Sequence, residues 1–339
     1  MKFLAVILAI LLVNCCWADD LSKAREKQIN YDLDEAQLLL TQEKASAEMT
    51  YELAWLYFDC LRPKKAVEAF TLAIKKAKAV RNELFLGRAL LARARVFASL
   101  NERTKSRKDF EEGKKTVPYP RGPAEAALIG FVHAVLEFEN ERQMNGLAKA
   151  VQVAAIARAG DEKALEARCY LIMGERASYG QRKASLLRAV DLATQIGGGP
   201  LEARARLALS QLERQEKKYD KALERIVQST ERLKPGLADR LIQKLRYEEG
   251  LSRKELDRWA GAIRSFVLSR SAAERLGDTL AFAEVSIPLI VCCKARNIVA
   301  RGKEYGREAL ASIAENENDV AIRLRKRINE AISGLDKPH

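Results

Sequence analysis

The stretch Tyr51–Ala77, YELAWLYFDCLRPKKAVEAFTLAIKKA, decides the fold. It reads as two amphipathic helices joined at Arg62-Pro63. In the second half, Ala66, Phe70 and Ala73 fall at i, i+4 and i+7, one stripe of a helix. Leu53, Ala54 and Tyr57 supply a matching apolar face in the first half. Small residues where two backbones approach, with a large aromatic between them, let antiparallel helices pack without voids.

Taking Ala66 as anchor, the same pattern is followed downstream to Ser106, Ala148, Leu186, Ala222, Ala262 and Gly302, at separations of 40, 42, 38, 36, 40 and 40 residues. Seven residues after each anchor stand Ala73, Gly113, Ala155, Ala193, Ser229, Ser269 and Ala309, all small. Twelve residues before stand Ala54, Ala94, Leu136, Gly174, Ser210, Gly250 and Ile290. The positions four after are mostly bulky and apolar, led by Phe70, Phe110 and Phe266, with Gln152 and Gly306 off pattern. A fixed period with a small-large-small signature marks a solenoid of helix pairs.

At these residues the chain resembles the tetratricopeptide-repeat (TPR) family, and Tyr219-Asp220-Lys221-Ala222-Leu223 is similar to its commonest second-helix opening. The period exceeds the family's usual ~34 residues, so helices or turns are lengthened. The resemblance implies an all-α, right-handed α-solenoid of about seven antiparallel helix pairs, and a protein-binding or assembly scaffold as the function. The expected layout is a signal peptide over 1–18, N-terminal capping helices over 19–47, the solenoid over 48–315, and a C-terminal capping helix and tail over 316–339.

Met1-Lys2, the apolar run Phe3–Val13 and the small-residue region to Ala18 read as a secretory signal cleaved before Asp19. Eleven apolar residues are too few to span a ~30 Å hydrocarbon core. Lipidation at Cys15 is the minor alternative, weakened by Asn14 where a small residue is expected. The expected location is therefore periplasmic or secreted. Charge is concentrated: residues 62–121 hold 17 Lys and Arg against 6 Asp and Glu, within a chain of net +13. Thr116–Pro123, with three prolines, reads as a long turn, and Gly197-Gly198-Gly199-Pro200 and Pro235-Gly236 as helix stops. Facing an anion with the helix start after Gly199 is the lesser reading of that run. Pro288 is expected to kink or shorten its helix. Val320–Ile332 reads as a final basic amphipathic helix.

Catalytic constellations are missing. Only His133 and His339 are histidines, and no metal-binding, nucleophile-elbow or phosphate-loop motif occurs. Cys60, Cys169, Cys292 and Cys293 read as buried small hydrophobes and not as disulfides, because helix spacing and adjacency forbid good geometry. No enzyme activity, cofactor or metal is expected.

In the resembling family the first helix of each pair lines an inner groove. Carried over by position, this gives Tyr51, Trp55, Phe58, Asp59, Arg88, Leu91, Arg95, His133, Glu137, Asn140 and Glu141 from repeats one to three. Repeats four to six give Arg168, Leu171, Glu175, Tyr179, Arg204, Gln211, Arg214, Lys244 and Tyr247. The set does not match the family's carboxylate-clamp pattern. Tyr51, Trp55 and Phe58 either pack on the N-terminal cap or anchor a partner, since large rings dominate interface energetics. The expected partner is a protein or peptide in the groove. The alternative is a polyanion (an acidic envelope polymer or lipid headgroups) on Arg103, Lys105, Arg107, Lys108, Lys114 and Lys115. Nucleic acid is disfavoured because no basic-aromatic platform accompanies these charges.

Overall fold

The structure, a computed structural model, describes residues 46–117, 122–177, 179–233 and 235–336. The expected signal peptide over 1–18 with Cys15, the expected capping segment up to residue 45, residues 118–121 of the proline-rich turn, the Tyr179 side chain and His339 lie outside the described residues.

Fifteen α-helices and no strand make up the described residues. In order they are α1 Ala47–Asp59, α2 Pro63–Ala79, α3 Glu83–Ser99, α4 Arg103–Thr116, α5 Pro123–Glu139, α6 Gln143–Ala159, α7 Lys163–Arg176 and α8 Tyr179–Gln195. Then come α9 Gly199–Gln215, α10 Tyr219–Arg232, α11 Asp239–Glu255, α12 Trp259–Arg275, α13 Thr279–Ala295, α14 Val299–Ser312 and α15 Asp319–Leu335. Odd-numbered helices are the first members of pairs. Residue contacts divide the chain into two compact units, up to Ala205 and from Arg206, with the division inside α9.

The anchors are where the pairs lock. Ala66, Ser106, Leu186, Ala222, Ala262 and Gly302 are all buried, as are Ala73, Gly113, Ala193, Ser229, Ser269 and Ala309 seven residues on. Two of the buried serines give their hydroxyl hydrogen to the facing helix: Ser106 donates to the Ala94 carbonyl at 2.7 Å and Ser269 to that of Gln243 at 2.7 Å. Bonding to a carbonyl satisfies a polar group that burial would otherwise penalise. At Gly174 a Cβ would stand 2.4 Å from Leu186 Cγ, so only glycine lets α7 and α8 touch there.

Repeat three requires a correction. Ala148 and Ala155 are exposed, and so is Gln152. The true contact residues are Gly146, Ala150 and Val153, two positions earlier, with Ala134 as the partner on α5. The anchors then run 66, 106, 146, 186, 222, 262 and 302, a period of 40 broken once by 36. The error has a physical cause: α6 reads QMNGLAKAVQVAAIARA, with small residues on every face, so small-residue spacing alone does not fix its rotation.

The turns repeat as strictly as the anchors. Leu61, Asn101 and Glu141 sit 40 residues apart with φ of 59°, 59° and 63°, and Lys217, Asp257 and Asn297 with 60°, 54° and 56°. After each, the next N–H closes on a carbonyl five residues back, as in Arg62 to Tyr57 at 2.8 Å and Arg258 to Arg253 at 2.9 Å. This is a Schellman closure, which consumes orphan carbonyls at the end of the first helix. A left-handed side chain costs about 1–2 kcal/mol, so non-glycine residues persist there because the packed pairs demand the turn.

Pro288 neither stops nor shortens its helix: α13 runs 17 residues, as long as most of its neighbours. The proline lacks the N–H that would bond the Glu284 carbonyl, and Glu284 is an exposed residue. Pro200 stands in the first turn of α9, and α15 spans the expected terminal helix.

Candidate functional site

The inner helices of unit 1 converge on one cleft of about 480 Å³. Tyr51, Trp55 and Asp59 of α1 face Arg88 of α3, Leu128 of α5, Leu165 and Arg168 of α7, and Gly198–Leu201 at the start of α9. Local sequence explains why these side chains share a face. Tyr51, Trp55 and Asp59 follow one stripe of α1, and Leu165 and Arg168 are three apart on α7. Positive φ at Gly197, Gly198 and Gly199, 98°, 82° and 73°, turns the chain so that α9 starts at the cleft wall.

The polar lining is built from ion pairs. Arg88 Nε donates to Glu125 Oε1 at 2.7 Å, and Arg168 Nη2 donates to Asp59 Oδ2 at 2.5 Å. The second pair joins residues 109 apart in sequence. The Arg168 guanidinium carbon also lies 4.2 Å from the centre of the Trp55 ring, and that of Arg204 lies 4.8 Å from Phe58. Arg95 stands 5.1 Å from Phe58 and 5.9 Å from Phe131. Stacking a flat, weakly hydrated guanidinium on a ring is favourable where water is excluded. Burial, and then Arg204, pulls the Arg95 side chain down to about 10, against the opposing pull of Glu175 and Glu139. Burial likewise pushes the Tyr51 phenol up to about 12.

Tyr51, Trp55, Phe58, Arg88, Arg95, Arg168 and Arg204 are thus brought together in unit 1. Glu175 belongs at its edge, exposed and 3.6 Å from Arg204. His133, Glu137 and Asn140 do not join them, a second consequence of the register correction. His133 has its ring 5.6 Å from Phe110 of α4 and its Nε2 3.4 Å from Glu137, and Asn140 accepts from Arg107 at 2.7 Å. Burial and Lys149 hold the His133 imidazole below its usual range. Their places on the inner face of α5 are taken by Leu128 and Phe131, which a 40-residue period from Leu91 to Phe131 would have shown. Arg214, Lys244 and Tyr247 lie in unit 2, where Arg214 pairs with Glu248 and Tyr247 packs against Phe266 at 5.9 Å.

The six cations of the polyanion set all lie on α4 and all are exposed. Lys105 lies 2.5 Å from Glu102 and over the Phe97 ring at 5.5 Å. Among the described residues no group of acidic, histidine and cysteine side chains is placed to hold a metal, and no helix is long and apolar enough to cross a membrane. The four described cysteines are buried and form no disulfide among the described residues.

The chain is similar in structure to the apo form of RapI, with a TM-score of 0.61 and 11% identity over 85% of this chain and 86% of that one. It is also similar to the apo form of the quorum sensor NprR from B. thuringiensis, TM-score 0.53 and 12% identity over 85% and 79% of the two chains. A Rap protein complexed with Competence and Sporulation Factor gives 0.53 and 11% over 86% and 85%. No family model and no curated protein matches the sequence. At such identities the likeness establishes the fold, a TPR-like solenoid of helix pairs.

Proposed function

We propose that this chain is a non-enzymatic scaffold that binds a peptide or protein segment in the cleft of unit 1. The observation behind this is the convergence of inner helices from five repeats on one cleft lined by both rings and guanidinium groups. Concave sites with a few polar groups in an apolar wall are where ligands are usually held. The complex of a similar Rap protein with Competence and Sporulation Factor supports a ligand-binding use of this fold. Selection of a displayed peptide library on the protein tests the reading. Enriched peptides should lose at least about tenfold in affinity on Ala164→Trp, which fills the cleft from its half-buried wall. Peptides that bind Ala164→Trp unchanged, or no enrichment at all, would reject it.

The scaffold is further proposed to act in the cell envelope after cleavage before Asp19, supported by the Phe3–Val13 apolar run. N-terminal sequencing of the exported protein should begin at Asp19, and retention of Met1 would contradict export. A second reading has its own observation: the six exposed cations along α4. As a polyanion site they would bind heparin beads at low salt and release them at high salt. Changing Arg103, Lys105, Arg107 and Lys108 to Ala should then abolish binding, and retention would reject this reading.

A further inference from the structure

The inner face of unit 1 already has an occupant. The end of α1, Trp55-Leu56-Tyr57-Phe58-Asp59, lies against residues that come from other repeats. One guanidinium, Arg168, covers the Trp55 ring and bonds the Asp59 carboxylate, two groups one helical turn apart. Arg204 covers Phe58. Most inner cations have a carboxylate within their own wall: Arg88 has Glu125, Arg176 has Glu139, and Arg204 has Glu175. Among the described residues Arg168 pairs with Asp59 of the segment alone.

Arg95 has none. It is 6% exposed, its Nε is buried without an acceptor, and its neighbours are the faces of Phe58 and Phe131. A buried cation held by rings without a carboxylate is costly and would gain from an added anion. On the other side, Asp59 is itself buried with Oδ1 lacking a donor. The segment therefore meets the surface incompletely: its rings are covered by Arg168 and Arg204, while its carboxylate bonds Arg168 through Oδ2 and leaves Oδ1 unbonded.

We propose that Arg95, Arg168 and Arg204 form a receptor for an aromatic ring followed by a carboxylate, and that Trp55–Asp59 fills it intramolecularly. The partner of the cleft is then a peptide offering the same two groups four residues apart, and it binds by displacing this segment. The inference rests on the peptide-binding reading above and names the chemistry of its ligand. Arginine is required in these roles, because a lysine ammonium neither stacks on a ring in the same way nor presents a fork to a carboxylate. The tethered segment competes at a high effective concentration, so weakening it should strengthen binding of the free peptide.

The test is a titration of a labelled helical peptide carrying Trp and Asp four residues apart against the full chain. Asp59→Asn should bind it at least about tenfold tighter than the unaltered protein, within the usual range of intramolecular coupling. Arg168→Met and Arg95→Met should lose it by a similar factor, and the peptide with Asn for Asp should bind all forms equally weakly. Arg95→Met breaks no ion pair, so its melting temperature should hold or rise while affinity falls. Unchanged or weaker binding to Asp59→Asn, or a lower melting temperature of Arg95→Met with affinity intact, would make the contacts purely structural and overturn the proposal. Selected peptides that need the cleft yet ignore all three arginines would leave the scaffold reading standing and sink only this one.

Discussion

Ala148 and Ala150 stand two residues apart on α6, and the difference between them is a whole register. Ala150 is buried against α5 and Ala148 is exposed. Ala148→Glu and Ala155→Glu should therefore shift stability by no more than about 0.5 kcal/mol. Ala150→Glu buries a charge at a close contact and should cost more than about 3 kcal/mol, or prevent folding of repeat three. Thermal melts of the purified variants check this, and a destabilised Ala148→Glu would restore the original register. The small residues of repeats one, two, five and six were legible because bulky rings such as Phe70 and Phe266 fix helix rotation. In α6 no such ring exists, so size alone was uninformative. The cysteines were readable from type. Burial pushes the Cys292 thiol up to about 12 and raises those of Cys293 and Cys169. All four cysteines are buried, so Cys60, Cys169, Cys292 and Cys293 should react with a thiol reagent only on unfolding. Rapid labelling of any of them in the native protein would contradict that burial.

At the scale of elements, helix length was less legible than helix pairing. Proline inside α13 was expected to kink or shorten it, but the helix keeps all 17 of its residues. The start of α13 is set by Asp278, which accepts from the Ala281 N–H at 3.0 Å and pairs with Arg240. Burial pushes its carboxyl up, but the Ala281 N–H and Arg240 together pull harder, so it settles below its usual 3.8. A carboxyl lowered on folding adds stability that is complete above 3.8 and is lost as pH falls through the folded value. Asp278→Ala should cost about 0.5–2 kcal/mol at neutral pH, the usual value of an N-cap. The gap between mutant and wild type should narrow below pH 3.8, and Asp278→Asn, which keeps the acceptor, should lose less. Denaturant curves across pH test the sign; a gap that widens in acid would refute it.

On the scale of the whole molecule, period and fold class were readable because every repeat solves the same packing problem. The division into two units at residue 205 was not, since α9 runs through it without a break in pattern. The candidate site was half legible. Positions on α1, α3, α7 and α9 were found by counting from anchors, while Leu128 and Phe131 were lost with the register of repeat three. That Trp55 and Asp59 meet Arg168 across 109 residues has no local signature, because it depends on the accumulated rotation of successive pairs.

The central claim is that a ligand seats on the inner helices of unit 1. Hydrogen exchange of the full chain with and without a display-selected peptide tests it most directly. New protection should fall on α3, α5, α7 and the start of α9. Protection confined to the outer helices α2 and α4, with the inner set unchanged, would contradict the account.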